Sequence, residues 1–219
     1  MKHNSQSGNV IILIFVAVGL FGALAFAFNQ SSRTSAAFIT DTQVNNFSDR
    51  LISYGNEVKN AVKRLELRGC LPSEISFENF TQEGYENPVS PITQKCHIFE
   101  TEGGGLTWQN VEKQISEEGW VFTGFNQVLG IGTDDENIGD LVMALPGIRT
   151  EICNAVNKKL DRDFEFPPED EGTWDETQFT GTYNDQELIG SAPNFENILS
   201  GCFQDDQDRN VFYATLIRQ

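Results

Sequence analysis

The chain has 219 residues, a formal net charge of −17 and a sequence pI near 4.4, and only 15 of its residues are Lys or Arg. Phosphate backbones need a basic surface, so nucleic acid is excluded as an expected partner. Two histidines, one of them at position 3, leave no Ser-His-Asp set, and an enzyme is not expected.

Residues 1–8 are short and polar, end in Gly8, and carry Lys2 as their one firm positive charge; they read as a leader. Residues 10–28, VIILIFVAVGLFGALAFAF, follow without a single charge. Nineteen residues at ~1.5 Å each make roughly 28 Å of helix, close to the hydrocarbon thickness of a bilayer. Residues 29–42 are rich in Ser, Thr and Ala, which permit close helix approach or simply mark a membrane exit. From there Phe47, Leu51, Tyr54, Val58, Val62 and Leu65 recur in steps of three and four, the stripe of an amphipathic helix. With no proline before Leu67, the spacing predicts one continuous rod over residues 9–67. Lys59, Lys63 and Arg64 suit the negative end of its dipole, and Gly69, with Pro72 soon after, supplies the stop.

This plan resembles that of type IV pilins and pseudopilins: a polar leader ending in Gly8, an apolar helix beginning at once, and an amphipathic continuation into a small cysteine-bearing head. The resemblance implies cleavage by a prepilin peptidase between Gly8 and Asn9, and packing into a filament core through Val10, Ile11, Ile12, Leu13, Ile14, Phe15, Leu20, Phe21, Leu24, Phe26 and Phe28. Leu13 stands where the family usually carries glutamate, which points to a minor, tip-type or divergent subunit. An ordinary signal-peptidase site is the alternative, since Ala23-Leu24-Ala25 and Ala25-Phe26-Ala27 fit the small-x-small pattern. The apolar run is longer than the usual signal core, which favours the leader reading.

The remaining residues, 68–219, carry nine Lys or Arg against twenty-eight Asp or Glu, which reads as a solvated acidic surface. Cys70, Cys96, Cys153 and Cys202 form no Cys-x-x-Cys pair and read as two disulfides of an exported domain. Spacing does not fix which of three pairings forms; the sequential one, Cys70 with Cys96 and Cys153 with Cys202, is the working expectation.

Residues 74–80 (EISFENF) alternate as a short strand. Residues 95–101 and 106–111 flank Gly103-Gly104-Gly105, a hairpin signal that lacks the Lys-Ser/Thr of a phosphate loop. Residues 119–129 (GWVFTGFNQVL) are the clearest strand, 141–145 are apolar, and Pro146-Gly147 punctuates. A helix is predicted over 148–160, a long acidic surface loop over 161–185, a helical turn at 194–199, and a terminal hairpin from 201–204 and 210–217. VFYATLI in its second strand is apolar on both faces and therefore central. Trp108, Trp120 and Trp174 could mark a ligand surface, the first two reading rather as core.

No cofactor is expected beyond a structural calcium ion, for which Asp134, Asp135, Glu136, Asn137 and Asp140 offer hard oxygen ligands in a glycine-bounded loop. Asp205, Asp206 and Asp208 are an equal alternative, and a solvated acidic turn accounts for either. Some pseudopilins hold such an ion.

The expected fold is α+β: a long N-terminal α-helix, membrane-spanning in its first half and amphipathic in its second, packed on a C-terminal antiparallel β-rich head with one or two further short helices. Its parts are a leader (1–8), the long helix (9–67, with its transmembrane segment at 10–28) and an acidic disulfide-bearing head (68–219). The expected function is that of a structural subunit of a pilus-like or pseudopilus-like filament, held in the inner membrane before assembly and then outside the cell. Its partners are copies of itself, other pilin-like subunits and the prepilin peptidase. The alternative is a membrane-tethered or secreted binding or adhesion module that does not polymerise, and a tethered hydrolase is a distant third.

Overall fold

The computed structural model describes residues 14, 18–20, 39–132, 138–170, 172–184, 187–192 and 195–219. The chain divides into two units, Met1–Thr40 and Asp41–Gln219. In the first, Ile14, Val18, Gly19 and Leu20 are helical and solvent-exposed, and the rest of the expected span at 10–28 lies outside the described residues. In the second, the amphipathic stripe forms α1 (Asp41–Leu67).

The single rod expected over residues 9–67 is therefore corrected. Ile39 and Thr40 are not helical, and the helix starts at Asp41. Among the described residues no helix is long and apolar enough to cross a membrane. Absence of proline permits a continuous helix, but Ser, Thr and Asn bond their own backbone and favour helix starts over helix interiors. A threonine followed by an acid, Thr40-Asp41, is such a start.

Phe47, Leu51, Tyr54, Val58, Val62 and Leu65 are all buried, on the face that packs against α2 (Thr150–Lys159) and β5 (Asn210–Ile217). At Gly55 the helix comes so close that an added Cβ would lie 3.4 Å from both Ala214 and Phe212. The Lys159 ammonium holds the other end of the contact, 2.6 Å from Asp49 and 2.8 Å from the Asn45 carbonyl. Termination follows from Gly69, which takes φ +89°. The Cys70 amide then donates to Leu65 O (3.1 Å) and the Gly69 amide to Glu66 O (2.9 Å), the paired bonds of a Schellman stop.

Among the described residues five strands form one sheet in the order β3 (Glu187–Ile189), β1 (Val121–Val128), β2 (Asp140–Ile148), β5, β4 (Ser200–Gln204). β1–β2, β2–β5 and β5–β4 pair antiparallel, but β3 lies parallel to β1, so the expected antiparallel head is corrected to a mixed sheet. β2 runs through Pro146-Gly147 with an irregular register between Leu145 and Ile148, rather than ending there. β5 sits between β2 and β4 and is buried on both faces. Phe212 and Ala214 meet α1, while Val211 and Tyr213 join Phe195, Phe203, Trp174 and Ile189 in a second core on the far side. This central position is the one its two-faced apolar pattern predicts.

The outer edge of β4 is covered by side chains and loop backbone. Asn157, on α2, donates to Cys202 O (2.8 Å) and accepts from Cys202 N (2.9 Å), in the manner of a neighbouring strand. Arg162 donates to Ser200 O, and Gln204 exchanges backbone bonds with Pro168 and Asp170. Edge groups left open invite pairing with other chains, and these are closed.

Disulfides join Cys70 to Cys96 and Cys153 to Cys202, the sequential pairing, across separations of 26 and 49 residues. They belong to an oxidising, extracytoplasmic environment. Replacing both Cys153 and Cys202 by Ala is expected to cost about 4 kcal/mol on the loop-entropy scale, and the shorter Cys70–Cys96 loop somewhat less. Denaturant midpoints at unchanged slope measure both; a larger loss at the shorter loop would show that loop length is not the controlling quantity.

Between α1 and β1 the chain departs from expectation. Ile75 and Phe77 are buried, but pairing extends only to one isolated parallel bridge, Ser76 with His97, so 74–80 is not a strand. Residues 95–111 form no hairpin: the Gly103 and Gly105 amides both donate to Glu100 O, and the Gly104 amide to His97 O, in successive turns. The described residues of the acidic stretch 161–185 are irregular as expected, yet Trp174 and Phe179 among them are buried, so they cover core rather than lying merely on the surface. Residues 195–199 make a turn without a helix.

Candidate functional site

Gly8, Asn9 and the packing positions Val10, Ile11, Ile12, Leu13, Phe15, Phe21, Leu24, Phe26 and Phe28 lie outside the described residues. Ile14 and Leu20 are described, each with more than half of its surface exposed.

Of the two acidic loops, Asp134, Asp135, Glu136 and Asn137 also lie outside the described residues. Asp140 begins β2 and is buried, and its carboxylate accepts the Val128 amide (2.9 Å) and the Gln219 amide (3.0 Å). Those bonds brace β1 and the C-terminus. In the alternative loop Asp205 is buried and organises the β4–β5 turn. It accepts the Gln207 and Arg209 amides, the Arg209 guanidinium and the Trp174 indole N–H. Arg209 reaches on to Glu118 and Glu176. Burial works against its charge, but Glu176 and Asp205 outweigh that and raise its pKa. Among the described residues no group of three or more His, Cys, Asp or Glu is placed to hold a metal ion.

Recesses among the described residues of the Asp41–Gln219 unit include three of about 250 Å³ or more. One, of about 540 Å³, lies beside the first turns of α1, where Arg50 pairs with Glu112 across its wall. A second, of about 250 Å³, is flanked by Lys59, Lys63 and Arg218 with Glu66 at its side, a basic strip on an acidic protein. Burial lowers the Lys59 pKa, and Arg218 and Lys63 lower it further by repulsion. The third, of about 290 Å³, is built from the segments 79–81, 99–101 and 105–108 and is lined by three aromatic side chains, Phe80, Phe99 and Trp108.

Phe99 and Trp108 meet edge to face at 5.1 Å in that third recess, and Phe80 stands at its rim with its side chain fully in solvent. Glu100, Thr101 and Thr107 supply polar groups. The three segments are irregular, so their placement comes from specific bonds. Ser76 donates to Cys96 O and receives from Ile98, beside the Cys70–Cys96 bridge. Leu106 donates to Ile98 O (3.1 Å). Arg64 in the last turn of α1 and Arg68 just beyond it donate to the Gly104 and Gly103 carbonyls at 2.9 and 2.7 Å. A methyl group at Gly103 would overlap the His97 carbonyl oxygen, and one at Gly104 would lie 2.5 Å from that of Ile98. Close backbone approach is thus the reason for glycine at both positions.

Of the three tryptophans weighed from the sequence, Trp120 and Trp174 are buried, and Trp108 is the one at a partly open surface. Phe80 and Phe99 carried no sequence signal of a site, because both fell in segments expected to be strands.

Comparison with protein-family models, curated proteins and solved structures gives no match.

Proposed function

We propose that the chain is a pilin-like structural subunit of a minor or divergent kind, held at the inner membrane by its uncharged N-terminal run and assembled afterwards into an extracellular filament. The observation that carries this reading is the joining of three features in one order. A leader ending in Gly8 precedes nineteen uncharged residues. An amphipathic helix, Asp41–Leu67, then lies along a disulfide-bearing head with its whole apolar stripe buried. In this reading the prepilin peptidase removes residues 1–8, Asn9 becomes the N-terminus, and residues 10–28 pack against those of other subunits. Burial of that many apolar side chains is ample driving force, and the Ala and Gly positions among them permit close contact.

Leu13 at the position of the usual glutamate favours one second reading, a tethered or secreted binding module that does not polymerise. N-terminal sequencing and intact mass of protein from its native membrane separate the two. An N-terminus at Asn9 is expected, and Gly8→Val is expected to accumulate as the full-length precursor. An N-terminus near Phe28, or normal maturation of the Gly8 variant, would reject the pilin-like reading.

A further inference from the structure

We infer that the recess between Phe80, Phe99 and Trp108 is a binding site for a neutral saccharide, of mono- or disaccharide size. Its volume, about 290 Å³, falls at the lower end of small-molecule sites, which run from ~300 Å³ upward. Its chemistry is that of a sugar site. Phe99 and Trp108 at the wall and Phe80 at the rim offer ring surface that can pack on the C–H face of a pyranose. The Thr101 and Thr107 hydroxyls, which donate and accept, and the Glu100 carboxylate, which accepts, line the same recess.

Phe80 is the sharpest sign. Its relative exposure is 103%, so nothing in the fold shelters it. A lone exposed apolar side chain is ordinary, but this one extends an aromatic wall already standing at a recess. The segments of the recess are braced by bonds of the fold itself: the Cys70–Cys96 bridge, the Ser76 bonds to Cys96 and Ile98 and the Arg64 and Arg68 clamps on the glycine turn, and, on the Phe80 side, the Gln82 bonds to Asn79 and to Trp120 O. A ligand therefore does not have to order the loops, a cost that commonly erodes weak binding.

Charge narrows the class. Residues 68–219 hold twenty-eight acids against nine bases, and Glu100 faces the recess, so phosphates, nucleotides and acidic sugars are repelled. A cationic peptide is the competing class. Glu100 is the single charged residue among the described residues lining the recess, and three threonines and three aromatic rings surround it, which fits hydroxyls better than a run of ammonium groups. The site lies at the Arg64–Arg68 end of α1, roughly 40 Å along the helix from Asp41. It does not depend on the filament reading.

The test is calorimetric titration of the purified full chain with glucose, galactose, mannose, N-acetylglucosamine, lactose, cellobiose and chitobiose, and with an oligolysine peptide in parallel. At least one sugar is expected to bind saturably with a Kd below roughly 10 mM. Phe80→Ala, which alters a fully exposed side chain and leaves the core intact, is expected to weaken it at least ~10-fold, and Trp108→Phe to weaken it less. Glu100→Gln is expected to change sugar affinity by less than ~10-fold. The inference is overturned if no sugar in the set saturates, if Phe80→Ala binds as well as the parent, or if oligolysine binds instead and loses its affinity with Glu100→Gln. Because the unprocessed chain serves, a negative result leaves the Gly8 processing experiment unaffected, and the reverse holds.

Discussion

Val58→Asp is expected to abolish the folded state of the Asp41–Gln219 unit. Val58 is wholly buried at the middle of the α1 stripe, where the helix faces α2 and β5. The substitution removes the burial of a valine, about 1.5 to 3 kcal/mol, and sets a carboxylate in its place. Desolvating an unpaired ion costs several kcal/mol more even after the surroundings relax. Together these approach the whole stability of an ordinary domain, ~5 to 15 kcal/mol.

The control is Asn56→Asp, the same carboxylate on the exposed side of the same helix. It is expected to change stability by less than about 0.5 kcal/mol. Far-ultraviolet circular dichroism and denaturant titration of both variants decide the matter. A folded Val58→Asp with native stability would mean that α1 does not rely on this face, and the account of the helix as the spine of the head would fail.

That spine was legible in the sequence because its evidence is local. Phe47, Leu51, Tyr54, Val58, Val62 and Leu65 repeat at the helical period, and Gly69 marks an αL stop whatever else surrounds it. β1 and the β4–β5 hairpin were legible for the same reason: aromatic and β-branched runs bounded by turn residues. The start of α1 was not. Continuity through residues 29–40 rests on what those residues lack, whereas a helix start depends on what they contain, and Thr40-Asp41 is such a start.

Failures elsewhere have a common cause in partners distant along the chain. EISFENF alternates like a strand, but a strand needs a neighbour over several residues, and its neighbour turns away at Gly103-Gly104 after one bridge. Parallel pairing of β3 with β1 joins Asn126 to Glu187, a contact that no local pattern announces. Composition made 161–185 look like surface, although Trp174 and Phe179 are buried there. The aromatic recess is the extreme case. Phe80, Phe99 and Trp108 come from three irregular segments, and bonds between residues far apart in sequence bring them together, among them the Ser76–His97 bridge, the disulfide, the two arginine clamps and the Gln82 side-chain bond to Trp120 O.

Alkali should unfold the protein in a step driven by its tyrosines. All four, Tyr54, Tyr85, Tyr183 and Tyr213, have their pKa raised, in each case chiefly by burial. Tyr54 and Tyr85 are each pushed up to about 12. The amide hydrogen bonds from Gln109 and Phe122 oppose the shift, and Glu57 adds to it at Tyr54. A folded pKa above the unfolded value of 10.0 means that the native state holds the proton longer. The stabilisation is complete below pH 10 and is lost as pH rises toward 12. Each of these two residues then forfeits about 2 to 3 kcal/mol, and the pair alone removes a large part of an ordinary stability. Tyr183 and Tyr213 are shifted in the same direction, and Tyr213 keeps its hydroxyl on the Ile198 carbonyl (2.7 Å), a bond that ionisation would abolish. Tyrosinate absorbance and circular dichroism, followed together against pH, are expected to change in one reversible transition between pH 10 and 12, with no tyrosine titrating ahead of it. Tyr54→Phe takes one ionisation out of the linkage and should lessen the steepness of the fall by about a quarter, since one group of four no longer contributes. If tyrosinate forms near pH 10 while the dichroism stays native, the tyrosines are not shielded by the two cores, and the packing of β5 against α1 on one side and Phe195 and Phe203 on the other would have to be redrawn.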